Sequence, residues 1–119
     1  MSYPLNEEQL MIQSMVREFA RKEVAVTAAE RDQTKAFPKT NLKKMGELGL
    51  MGMMVPAAYG GEGADSVSYV LALSEIASAC AATAVVMSVH NSITCESIVK
   101  FGSEELKQRF LPKMASGKW

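Results

Sequence analysis

Apolar residues recur every three or four positions near the start of the chain. Ile12, Met15, Val16, Phe19, Ala20 and Val24 share one side of a helix, while Arg17, Glu18, Arg21 and Lys22 cover the other. Asn6 and Gln9 stand ahead of this stripe at the spacing of a capping box, with Leu5 and Leu10 placed to close a hydrophobic staple. A first helix is therefore predicted from Glu7 to about Arg31. Pro38, preset for a first helical turn, opens a second helix that runs to Leu48, buries Leu42, Met45 and Leu48, and stops at Gly49.

From Leu50 to Ala58 the chain is too apolar for a surface loop and offers no strand pairing, so an extended buried connector is expected. The glycines at 60, 61 and 63 then mark a tight turn. A third helix from Asp65 or Ser66 to about Ala79 would bury Val70, Leu73, Ile76 and Ala77. Small residues between Cys80 and Thr83 allow a break before a fourth helix that continues to Lys100 and ends at Gly102. Ser103 caps a fifth, Glu104 and Glu105 complement its dipole, Leu106, Phe110 and Met114 form its stripe, and Pro112 is a kink point. The expected fold class is all-α: one domain over residues 1–119, with about five helices in an orthogonal or up-down bundle.

Between Ile76 and Cys95 no residue is charged, yet Ser78, Thr83, Ser88, His90, Asn91, Ser92 and Thr94 lie among the Ala, Val and Met. Such a helix is expected to be wrapped by protein on most sides, its small polar groups either paired or facing a ligand cavity. It is long enough to span a bilayer, but its hydroxyls, imidazole and carboxamide suit lipid badly, so membrane insertion is not expected. A chain of 119 residues, 48% of them hydrophobic and with 13 basic residues against 13 acidic, makes a domain with its own core and no polyanion-binding face. Nucleic acid is therefore not an expected partner. Cys80 and Cys95 read as buried free thiols of a reducing compartment. The opening MSYPLNEEQ shows neither a secretory nor a transit pattern, which makes the cytoplasm the expected location.

Few residues point to chemistry. His90 is the lone histidine, without the spacing of a metal site and without a serine on a strand-to-helix elbow, so it reads as a histidine bonded inside a helical core. The glycine cluster lacks the preceding strand and the Lys-Ser or Lys-Thr of a phosphate loop. Nine methionines fit gap-filling core positions better than a plastic binding surface. What remains is a face: Val85, Ser88, Val89, Ser92 and Ile93 fall together at helical spacing and would suit a narrow hydrocarbon slot. Periodicity alone favours packing of that face against another helix of the same domain.

Three segments, LNEEQLMIQSMVREFARKEV, VPAAYGGEGA and MSVHNSITCESIVKFGSEELKQRFLPKMASGKW, resemble the amino-terminal helical domain of the acyl-CoA dehydrogenases. The resemblance covers essentially the whole chain, and it implies that a flavin-cradling β-domain and a second helical domain would follow where the chain stops. It implies that the fourth helix lines the far end of the acyl pocket, with Val85, Ser88, Val89, Ser92 and Ile93 as wall residues and Val89 and Ile93 as its floor. The reaction it implies is removal of the pro-R α-hydrogen of an acyl-CoA by a glutamate base while a hydride passes from the β-carbon to FAD, which then reduces an electron-transfer flavoprotein. In that pattern the base and the main flavin contacts belong to the other domains. No catalytic residue is therefore expected here, this chain alone should be inactive and hold no FAD tightly, and the complete enzyme should be a homotetramer. MSVHNSIT is most similar to the short-chain and branched-chain members. Acyl-CoA oxidases and nitroalkane oxidases share the domain in outline. A free-standing helical interaction module is the alternative from a different class.

Overall fold

Helix formation starts where the capping residues stand. In a computed structural model that describes residues 4–118, Asn6 Oδ1 accepts the Gln9 N–H at 2.8 Å and Gln9 Oε1 accepts the Asn6 N–H at 3.0 Å. Met1–Tyr3 and Trp119, which the single-domain reading includes, lie outside the described residues. Helix α1 spans residues 7–34: α-helical over Glu7–Phe19, π-helical over Ala20–Val24, and α-helical again over Ala25–Thr34. It outruns the predicted end near Arg31 and closes at Lys35, which takes a left-handed conformation with φ 61°. Val16, Ala20 and Val24 are buried as expected, Ile12 and Phe19 pack against them, and Met15 is exposed.

Helix α2, Lys39–Glu47, ends in a Schellman motif: Gly49 takes φ 83°, its N–H bonds Gly46 O at 3.1 Å, and the Leu50 N–H bonds Met45 O at 2.9 Å. That turn corrects one expectation. Met45 is fully buried and Leu42 half-buried, but Leu48 sits on the outside of the cap and is exposed, while Leu50 enters the core in its place.

The segment after Gly49 is buried as predicted, through Leu50, Met51, Met53 and Val55, but it is not extended. It is a string of turns ending in a 3₁₀ turn over Ala57–Tyr59, folded back so that the N–H groups of Glu62, Gly63 and Ala64 bond the carbonyls of Gly52, Val55 and Met53 at 3.0, 3.0 and 2.7 Å. An extended buried chain without a partner strand would leave those groups unsatisfied, and the turns supply their partners internally. Two glycines make the closure possible. A side chain on Gly61 would strike the Val55 carbonyl, and a Cβ on Gly52 would lie 2.5 Å from that of Ala115.

Helix α3, Ser66–Ala79, is capped by Asp65, whose Oδ1 accepts the Ser68 N–H at 2.7 Å. Gln9 Nε2 reaches Asp65 Oδ2 at 3.3 Å, tying the cap of α1 to the cap of α3. The buried face is Ser68, Tyr69, Ala72 and Ile76; Val70 and Ala77 are exposed and Leu73 is half-buried, against expectation. Helix α4 spans residues 81–101: α-helical over Ala81–Ser88, π-helical over Val89–Cys95, and α-helical over Glu96–Phe101. The break before it falls at Cys80, which is extended at φ −160°, ψ 108°. Helix α5, Glu104–Ala115, starts at Ser103, whose Oγ accepts the Leu106 N–H at 3.3 Å, and runs on through Pro112. It buries Leu111, Met114 and Ala115; of the predicted stripe, Phe110 is half-buried and Leu106 is exposed.

These five helices, with no strand among the described residues, make the fold all-α as expected. Helix α1 packs along α3, α3 packs on the first part of α4, α2 touches α4, and α5 returns onto its second half. Arg17 and Glu75 bridge α1 to α3 at 2.8 Å, and Glu23 and Lys44 bridge α1 to α2 at 2.6 Å. The result is a slab of 41 × 40 × 21 Å, about two helix diameters thick. In such a slab every helix keeps one side outward. No helix among the described residues is long and apolar enough to cross a membrane.

Asn6→Ala should lower unfolding stability by about 1 kcal/mol, read by urea denaturation, because it removes the side-chain acceptor of the Gln9 N–H and leaves only the Gln9 half of the capping box. Hydrogen bonding to the Ser68 N–H holds the Asp65 carboxyl below the usual carboxylate range. Its stabilising contribution is thus present above the ordinary carboxylate pKa and is lost as pH falls through the lowered one. Denaturation measured across that acid range should show a smaller loss for Asp65→Asn than for the native chain.

Candidate functional site

The polar groups of α4 are spent on its own backbone and on its neighbours. Ser92 Oγ donates to Ser88 O at 2.6 Å, Asn91 Nδ2 to Met87 O at 2.9 Å, and Thr94 Oγ1 to Val89 O at 3.5 Å. These carbonyls lie at the π-helical stretch, where the i→i+5 pattern replaces the usual i→i+4 bonds. Asn91, 2% exposed, also donates to Leu50 O at 2.9 Å and accepts the Met53 N–H at 3.0 Å. His90 Nε2 lies 2.7 Å from Met114 O; a carbonyl only accepts, so that nitrogen carries the proton and ties α4 to the end of α5. His90 is thus a bonded structural histidine, half-buried rather than fully enclosed.

With these groups satisfied, the outer face of α4 is left apolar and open. Val85, Val89 and Ile93 are 60%, 44% and 61% exposed, Ser92 is exposed and Ser88 half-buried. The structure brings all five predicted site residues onto one face and packs none of the three aliphatic ones into the core. Two expectations fail here: α4 is not wrapped on most sides, and this face does not pack against another helix of the domain. The slab is too thin to enclose it.

Other features are accounted for by internal bonding. In the glycine turn the N–H groups of Gly60, Gly61, Glu62 and Gly63 bond Ala57 O, Pro56 O, Gly52 O and Val55 O, so none is left to cradle a phosphate. Among the described residues no three His, Cys, Asp or Glu side chains are grouped to hold a metal. Glu75 is paired with Arg17, Glu96 with Lys100 at 3.4 Å, and Glu104 takes the Tyr59 hydroxyl at 2.8 Å. Two open clefts, of about 530 Å³ beside Leu42, Met51, Val86 and His90 and about 560 Å³ beside Arg31 and Cys80, include none of the five predicted residues. The residue that sequence reasoning passed over is Asn91. Its signal was an amide, a poor interior helix former, in the middle of an uncharged run.

The family model for the acyl-CoA dehydrogenase N-terminal domain matches residues 6–118. An acyl-CoA dehydrogenase of Bacillus subtilis is 50% identical over 113 residues, covering 95% of this chain and 30% of the relative. The short-chain specific acyl-CoA dehydrogenase of Clostridium acetobutylicum is 44% identical over 98% of this chain and 31% of its own. The solved butyryl-CoA dehydrogenase of Megasphaera elsdenii superposes with a TM-score of 0.90 at 30% identity, over 99% of this chain and 32% of that one. The chain thus spans about 30% of the length of the curated relatives it matches.

The two cysteines separate chemically. Cys95 is buried, and burial, helped by the Glu96 charge, pushes its thiol up to about 11. Cys80 is half-buried, which corrects the expectation that both are enclosed. Burial acts to raise its thiol too, but bonds from Thr83, whose hydroxyl lies 3.2 Å from Sγ, and the nearby Arg31 outweigh it and bring the thiol below its ordinary value. At neutral pH iodoacetamide should therefore modify Cys80 well before Cys95 in the folded chain. Peptide mass mapping of a time course checks the order, and equal rates would contradict it.

Proposed function

From a chain that belongs to the acyl-CoA dehydrogenase family, as its amino-terminal domain, we propose that α4 supplies one wall of the acyl slot of an FAD-dependent acyl-CoA dehydrogenase. The observation that carries this is the open aliphatic face of Val85, Val89 and Ile93 on a helix whose Asn91, Ser92 and Thr94 side chains bond to backbone groups. A face made mainly of aliphatic side chains, with only the small Ser88 and Ser92 hydroxyls among them, suits a hydrocarbon. Ser88 and Ser92 extend the wall, and Val89 and Ile93 form its floor. The complete enzyme converts a short, medium or branched acyl-CoA to the trans-2-enoyl-CoA, and relatives described as short-chain specific and as butyryl-CoA dehydrogenase favour the short end of that range.

FAD is the hydride acceptor of that reaction, and electrons then leave to an electron-transfer flavoprotein. The glycine turn, its N–H groups all bonded, offers the cofactor no phosphate cradle. Glu75, Glu96 and Glu104 are engaged with Arg17, Lys100 and Tyr59, which favours a base from outside this domain. The 119-residue chain is accordingly inactive alone and contributes shape rather than chemistry. The complete enzyme is a homo-oligomer, a tetramer on the family pattern.

Val89→Phe in the full-length enzyme should shorten the acyl chain it accepts. Relative to butyryl-CoA, kcat/KM for octanoyl-CoA should fall by about tenfold or more, since each methylene excluded from an apolar pocket is worth about that much. An unchanged chain-length profile would remove Val89 from the slot.

A further inference from the structure

Successive residues four apart in an α-helix drift about 40° around its axis, so three of them still share a broad face, as Ser68, Ala72 and Ile76 of α3 do. Met87, Asn91 and Cys95 of α4 are likewise 0%, 2% and 1% exposed. Val85, Val89 and Ile93, at the same spacing, all stay outside. The π-helical turn over Val89–Cys95 carries Val89, Asn91 and Ile93 together.

A π-helical turn is uncommon and persists only where its surroundings favour it. Here Asn91 does more than bond within the helix. Its carboxamide bridges Met87 O, Leu50 O and the Met53 N–H, fastening the π-helical turn to the buried loop at residues 50–53. Ser92 and Thr94 meet the neighbouring carbonyls from the outer side.

We propose that Asn91 is a positioning residue for acyl-chain length: by pinning the π-helical turn to the loop it fixes where Val89 and Ile93 stand, and so sets the depth of the slot without touching substrate. The inference rests on the slot reading above. Without the clamp the turn relaxes toward α-helical bonding, Val89 and Ile93 rotate about the helix axis, and discrimination between chain lengths weakens.

The test uses the full-length, FAD-loaded enzyme and two variants. Asn91→Ser keeps a hydroxyl able to bond Met87 O but releases the loop; Asn91→Asp keeps the acceptor for the Met53 N–H but loses both donors. Asn6→Ala, far from the slot, is the control for simple loss of stability. For the Asn91 variants the ratio of kcat/KM on octanoyl-CoA to that on butyryl-CoA should move toward unity by about tenfold, through KM for the longer chain, while the control stays within about twofold of native. A native profile in both Asn91 variants overturns the inference. If Val89→Phe shifts the profile and they do not, the slot reading stands and only the role of Asn91 falls; if Val89→Phe also has no effect, both fall. Should neither Asn91 variant load FAD, Thr94→Val decides. It removes the donor to Val89 O from an exposed position, and a shifted profile supports the clamp whereas a native one overturns it.

Discussion

The carboxamide of Asn91 ties helix α4 to the buried loop that follows α2. One group of core residues gathers Val16, Ala20 and Val24 of α1, Met45 of α2, Ile76 of α3 and Met87 of α4; a second gathers Val55, Cys95, Leu111, Met114 and Ala115. The loop after α2 runs between them, with Leu50, Met51 and Met53 in the first group and Val55 in the second. A buried loop is tolerable only if its backbone groups find partners, and each orphan would cost about 1–3 kcal/mol. The turns of the loop satisfy most of these groups, and Asn91 satisfies two that remain, Leu50 O and the Met53 N–H.

The same economy of partners explains the character of α4. An uncharged helical run such as Ala81–Cys95 usually belongs in the middle of a protein. Here the donors of Ser92, Thr94, Asn91 and His90 all meet backbone carbonyls, which leaves a face made mainly of aliphatic side chains. In a slab only two helices thick that face has no room to be covered from within the domain. Its openness and its apolarity therefore have one origin, and together they suit it to a hydrocarbon or to further protein.

Helix boundaries were legible because caps are local. Asn6 with Gln9, Asp65 with Ser68, Ser103 with Leu106 and the turn at Gly49 each act over three to five residues, and each appears where the residue types put it. The faces of α3 and α5 were less legible. Helix α3 is apolar nearly all round, so periodicity could not choose Tyr69 and Ala72 over Val70 and Ala77; contact with α1 and α4 chose them. In α5 two apolar lines compete, and docking against Gly52 and α4 selects Leu111, Met114 and Ala115 over Leu106. Leu48 was lost to the same cause, since the Schellman turn hands its place to Leu50.

The sequence by itself determined the helical class, the five helices and their caps, the burial of the loop after Gly49, and the grouping of Val85, Ser88, Val89, Ser92 and Ile93 on one face. Those features depend on residue type and on spacing within a few positions. Tertiary structure alone decided that this face is open, that the loop is a chain of turns, and that Asn91 holds it. The bonds of Asn91 to Leu50 and Met53 cross 41 and 38 positions. Pairings at that distance are chosen by packing around a shared core, which no local pattern of polar and apolar residues encodes.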